Sequence, residues 1–254
     1  DLELSDEKGH VCLRITGVDS SNEPELAEVP CPIATPKPES KIQEEPELMC
    51  FDEIWNESPI PTLATRGPSA ELIKTVVCFL TGPAKQQMLL RFLTDVSPQT
   101  NVVFLSEGPL SENRDPGHYR VVGDDAGSYG KALQEIWNEA GPIDAVLYFW
   151  AVDQSKWVYD HLPVVRLLQA LSEFSTPPRK LILAAKFEGD LERCFLESLI
   201  GFERSLKLSW AKTSVGVVLQ DSAEFCPNTL FERVFCELDR LDQNRSVLYE
   251  NGIR

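Results

Sequence analysis

Six short, almost uninterrupted apolar runs punctuate the chain: TVVCFL (75–80), NVVFL (101–105), YRVV (119–122), DAVLYF (144–149), KLILAA (180–185) and SVGVVL (214–219). A strand with one face in water alternates apolar and polar side chains, so runs that lack the alternation need cover on both faces. Helical patterns near 84–96, 127–140, 161–174, 190–209 and 228–242 fill the gaps between them. In the third, Leu162, Val165, Leu168 and Leu171 recur at helical spacing. Strands alternating with helices, joined by right-handed crossovers, predict an α/β fold: a doubly wound, mainly parallel sheet. FDEIW (51–55) reads as a further short strand, and SVLYENGIR (246–254) as a last one ending in an Asn251-Gly252 turn.

The segments ahead of this pattern have a different character. In residues 1–21, Leu2 and Leu4 alternate with acids, DEKG supplies a turn, and Val11, Leu13 and Ile15 alternate with Cys12, Arg14 and Thr16. This predicts a β-hairpin, which is marginal alone in water and so belongs with a larger domain. Residues 22–49 mix Pro24, Pro30, Pro32, Pro36, Pro38 and Pro46 with Glu and few large apolar side chains. Such a composition buries too little surface to fold and predicts an extended linker. The globular region is expected over 50–254. The chain opens on DLELSDEKGH, with no initiator Met and no signal-peptide pattern, which reads as a piece of something longer.

Charge and thiols narrow the function classes. Forty acidic against 24 basic residues give a net charge of −16, which repels phosphate backbones and argues against nucleic-acid binding. The seven cysteines (12, 31, 50, 78, 194, 226 and 236) form no CxxC pair and show no metal-ligand spacing, as expected for a reducing, cytoplasmic compartment. No apolar run approaches the length of a membrane span.

The search for chemistry begins at TVVCFLTGPAKQQMLLRFL (75–93), where an apolar run meets a Thr81-Gly82-Pro83 turn and a helix starts at once. A dinucleotide turn needs three glycines, and this one has Gly82 alone. Pro83 lacks an N–H donor at the start of the helix. Gln86, Gln87 and Met88 stand where small residues would let the backbone approach a pyrophosphate. The residues read as a connector and not as a phosphate cradle. No GxxxxGK[ST] and no GxSxG is present. His10 lies in the hairpin, His118 at the start of a strand, and His161 at a helix start beside Asp160, where an Asp more often caps the helix than serves an acid–base pair. Tyr129 and Lys131 are two residues apart and cannot share a helix face. In YFWAVDQSKW (148–157), Trp150 and Trp157 stand at a strand end, where α/β sites gather. Core or interface packing is the main reading, and a pocket around Trp150, Asp153 and His161 the alternative. Leu199, Phe202, Leu206 and Trp210 share one face of a helix that packs on the sheet.

The order of these segments resembles modular polyketide synthases, especially the type served by separate acyltransferases. CFDEIWNES (50–58) looks like the opening strand of a ketoreductase region, DAVLYFWAVDQ (144–154) like its central strand, and HLPVVRLLQAL like the helix after it. KLILAAKFEGD, ESLIGFERSLKLSW and VGVVLQD resemble the strand, glycine-bearing helix and acid-ended strand that follow, and SVLYENGIR the strand ending this half. DLELSDEKGHVCLRITGVDSS is similar to the closing strands of a dehydratase domain. The resemblance implies a degenerate Rossmann, short-chain-reductase-like structural subdomain. It implies no catalytic, cofactor-binding or metal-binding residue in this chain, because NADPH and the catalytic side chains belong to the partner subdomain. Its implied partners are that catalytic ketoreductase subdomain, the neighbouring synthase domains and, in the parent, an acyl carrier protein. GFERSLKLSW departs from the family pattern of Gly-Arg with Glu-His-Pro, which marks either a divergent reductase or a pseudo-ketoreductase half supporting an inserted methyltransferase. A docking module and a self-contained α/β enzyme are the alternatives from other classes.

Overall fold

A computed structural model describes residues 2–5, 11–15, 55–62, 73–108, 116–174, 176–210, 212–241 and 246–254. The chain divides into two units, Asp1–Asp52 and Glu53–Arg254. In the first, β1 (Leu2–Ser5) and β2 (Val11–Ile15) pair antiparallel, with Leu4 opposite Leu13, which is the hairpin expected from their alternation. The expected linker lies outside the described residues.

In the second unit the apolar runs become β3 (Thr75–Phe79), β4 (Asn101–Glu107), β5 (His118–Val121), β6 (Ala145–Tyr148), β7 (Lys180–Phe187) and β8 (Ser214–Asp221), joined by β9 (Ser246–Tyr249). They form one seven-stranded sheet in the order β5-β4-β3-β6-β7-β8-β9, with every pairing parallel. The winding reverses between β3 and β6, the switch point at which open α/β sheets bind ligands. Asp144, just ahead of β6, ties the other end of this pair: its Oδ2 accepts from the Lys74 and Thr75 N–H groups at 2.8 and 3.1 Å.

Helices cover both faces, as the unbroken apolar runs require. On one face α1 (Pro83–Val96) and α7 (Pro227–Arg240) place Leu89, Leu93, Leu230, Phe231, Val234 and Phe235 against Val76, Cys78, Leu147 and Ile182. On the other, α2 (Ala126–Ala140), α5 (Leu162–Ser172) and α6 (Asp190–Ser209) pack Tyr129, Leu133, Leu167, Leu171, Leu196 and Leu199 against Val77, Val146, Leu181 and Val217. Phe202, Leu206 and Trp210 pack on that second core while partly exposed, so the apolar face read along α6 is a packing face. Cys78 is fully buried and its thiol is pushed well up by loss of solvent.

Three details depart from the sequence reading. The buried stripe of α5 runs through Val164, Leu167, Leu168 and Leu171, while Leu162 is exposed and Val165 half-buried. The spacing located the helix correctly, but its rotation against the sheet is set by packing. Two single-turn helices, α3 (Trp150–Asp153) and α4 (Lys156–Tyr159), follow β6 where the end of a strand was expected. Finally, residues 51–54 of the expected FDEIW strand lie outside the described residues, and 55–62 carries no regular element.

The chain end is tied back to the body. Asn251 and Gly252 take φ of 51° and 71°, closing the expected turn, with Glu250 bridged to Ile253. The Arg254 guanidinium then enters the unit. It donates to both Glu237 oxygens on α7 at 2.6 and 2.7 Å and to Ser58 Oγ at 2.7 Å, while the Tyr249 hydroxyl donates to Glu237 Oε1.

Candidate functional site

The switch point places the Thr81-Gly82-Pro83 turn, leaving β3, beside α3, leaving β6. The two elements meet through one side chain. Asp153 Oδ2 accepts from the N–H groups of Thr81 and Gly82 at 3.1 and 2.7 Å, and its Oδ1 accepts from the Lys85 ammonium at 2.8 Å. The Asp153 side chain is 8% exposed. Two backbone donors, a lysine and the start of a 14-residue helix with no acid in its own first turn therefore converge on one carboxylate. This is the constellation of an oxyanion site.

This geometry adds a partner to the turn that reads as a connector. Pro83 does remove a donor, but the two N–H groups aimed at Asp153 belong to the residues before it. Gly82 is also needed for space, since a Cβ there would stand 2.8 Å from Asp153 Oδ1. Gln86, one of the bulky residues noted in the turn, is buried and donates Nε2–H to the Leu80 carbonyl at 2.6 Å, satisfying the end of β3. Sequence reasoning missed the pairing because Asp153 lies 71 residues from Gly82. An acid just past the switch-point strand, facing a Gly-Pro-x-Lys turn, was the available signal.

Aromatic side chains fill the neighbouring space. Trp150 is fully buried, stacks on Trp157 at 5.4 Å and meets Phe79 and Tyr148 edge-on or tilted at 5.4 and 5.7 Å. Its indole N–H donates to the Leu105 carbonyl at 3.3 Å. Trp157 lies so close to Gly123 that a Cβ on that glycine would sit 3.3 Å from the ring. Both tryptophans are core residues, in line with the main reading of YFWAVDQSKW.

The alternative pocket of Trp150, Asp153 and His161 does not assemble. A groove of about 530 Å³ beside the ends of β6 and β7 is lined by Asp153, Lys156, Lys186 and Glu188 among others, and by neither Trp150 nor His161. Its lysines are paired, Lys156 with Glu107 at 2.5 Å and Lys186 with Glu188 at 3.9 Å. His161 Nδ1 lies 3.3 Å from Ser198 Oγ, and burial lowers the imidazole pKa below its ordinary value, partly offset by the Val158 carbonyl and Asp160. Asp160 accepts from the Leu162 N–H at 2.9 Å, a local contact from one residue ahead of the N-cap, which is His161 and not the expected Asp160.

The remaining candidates scatter. The Tyr129 hydroxyl donates to the Gly123 carbonyl at 3.2 Å, and Lys131 points to solvent. His118 stacks on Phe104 at 5.4 Å, and His10 lies outside the described residues. Among the described residues no cluster of metal-ligating side chains occurs, and no helix is long and apolar enough to cross a membrane.

No family model matches the chain. Over 221 residues, 87% of its length, it is 34% identical to the polyketide synthase PksM of Bacillus subtilis (strain 168), of which it spans 5%. Its fold resembles the adenylation, ketoreductase and pseudo-Asub multidomain structure of a keto acid-selecting NRPS module, with TM-score 0.62 and 12% identity, over 79% of this chain and 17% of that one. It also resembles an N-terminal ketoreductase from the macrolactin assembly line, with TM-score 0.55 and 8% identity, over 77% of this chain and 40% of that one. At these identities the two structural likenesses are likenesses of fold.

Proposed function

We propose that the Glu53–Arg254 unit is the structural, non-catalytic subdomain of a polyketide-synthase ketoreductase, supporting a separate NADPH-dependent half that reduces β-ketoacyl groups carried on an acyl carrier protein. The observation that carries this reading is the filled switch point. In a doubly wound sheet a dinucleotide phosphate would take the Thr81 and Gly82 N–H groups, and here they are bonded to Asp153. A supporting half also needs a face for its partner. Tyr159 and Phe195, in edge contact at 5.2 Å, and Leu191 one turn before Phe195 are all more than 40% exposed, an apolar strip suited to that use.

On this reading the N-terminal hairpin is the end of a dehydratase-like domain, and residues 22–49 link it to the ketoreductase region. Both assignments rest on the sequence pattern. The test is calorimetric titration of the full chain with NADPH. No saturable heat is expected up to about millimolar cofactor, and binding at micromolar Kd overturns the proposal.

A further inference from the structure

The geometry points to Asp153 as a built-in oxyanion: its carboxylate holds the phosphate position of the β3–α1 turn, and removing it turns that position into a binding site for a small oxyanion such as inorganic phosphate. The inference deepens the structural-subdomain reading and rests on it, since it explains what replaced the nucleotide.

Three features of the contact set it apart from an ordinary helix cap. The anion comes from a different strand–helix unit, 71 residues along the chain, and α1 has neither a side-chain cap nor an acid in its first turn. It is bound from both sides, by two consecutive backbone N–H groups on Oδ2 and by the Lys85 ammonium on Oδ1. And it is more than nine-tenths buried, where donors left without a partner are costly. Lys85 also lies 3.4 Å from the Val152 and Asp153 carbonyls, so the ammonium is oriented toward α3 even without the carboxylate. Deleting the carboxylate therefore leaves a cation and two aligned N–H groups at the edge of the groove that Asp153 lines. Phosphate offers the same charge sign and the same acceptor atoms.

The test compares the full-length wild type, Asp153→Ala and Asp153→Ala/Lys85→Met in phosphate, against chloride at matched ionic strength. In about 20 mM phosphate the melting temperature of Asp153→Ala is expected to rise by at least about 3 °C. The wild type and the double variant should move by less than a third of that. The Thr81 and Gly82 amide resonances of Asp153→Ala should shift with phosphate. An unresponsive Asp153→Ala, or an equal response in all three proteins, overturns the proposal. Where Asp153→Ala does not fold in chloride, refolding from urea reads the same competition: recovery of native fluorescence only in phosphate supports the proposal, and equal yields overturn it. NADPH binding by the wild type would sink the functional reading without altering this comparison, so the two failures are distinguishable.

Discussion

At Gly82 the backbone is ordinary, φ −68° and ψ 114°, so any residue could adopt it. What excludes a side chain is Asp153, whose Oδ1 would lie 2.8 Å from the new Cβ. The need for glycine should therefore disappear with the carboxylate. Gly82→Ala is expected to cost about 1–3 kcal/mol by overpacking in the wild type. In an Asp153→Ala background it should be neutral or slightly stabilising, because alanine restricts the unfolded chain. A double-mutant cycle by urea unfolding measures the coupling, and equal costs in both backgrounds would refute the assignment. Residue type alone suggested a lost nucleotide turn. The partner that explains it became visible only when β3 and β6 were placed side by side.

Helices and strands were legible because their patterns are local. The parallel strands declared themselves through runs with no polar alternation, and α6 spans the residues its apolar spacing predicted, Asp190–Ser209. The rotation of α5 and the short helices α3 and α4 were not legible, since four-residue turns have too few positions to show a period and helix rotation follows what it packs against. The tie between α7 and β9 is a further case. Arg254 and Glu237 side chains are 3% and 1% exposed and paired at 2.6 Å, and Glu237 also holds the Arg254 pKa above its ordinary value. Burial and the same Glu237 push the Tyr249 hydroxyl well up. Breaking such a pair from one side strands a buried charge: Glu237→Leu is expected to cost about 3–5 kcal/mol, while Glu237→Leu/Arg254→Met should recover most of it. Denaturant melts of both variants decide the matter, and a double variant no better than the single one would show that the pair is not the source of the loss.

For the whole molecule, both cores are built from residues 73–249 among those described, and the boundary between units falls at Asp52 and Glu53. Removing residues 1–52 is therefore expected to leave the melting temperature within about 2 °C, because the buried residues of both cores all lie beyond them in the chain. The truncation must spare Ser58, which anchors both the Arg254 guanidinium and, through its N–H at 2.8 Å, the Arg254 carbonyl. A large drop on truncation at Glu53 would mean that the first unit contributes to the stability of the second. The strand order with its reversal at β3 and β6 puts the Gly82 turn and Asp153 at the one place where such a sheet binds ligands. The fold thus supplies a binding position, and the side chains fill it.

The sequence by itself determined the class of the fold, the places of the six apolar strands and of the last one, their mainly parallel direction, and the absence of a glycine-rich dinucleotide turn. Each of these is written in local spacing, in which residues sit next to the neighbours they need. It did not determine what occupies the turn, how α5 is rotated, or that the last residue closes onto α7. Those depend on groups brought together by the fold, as the turn's N–H groups meet Asp153 from 71 and 72 positions away and Arg254 meets Ser58 from 196, by contacts that form only once the sheet has been wound. The chemistry of the candidate site is a tertiary fact: two backbone donors and a lysine become an oxyanion site, and an occupied one, only where two distant loops meet.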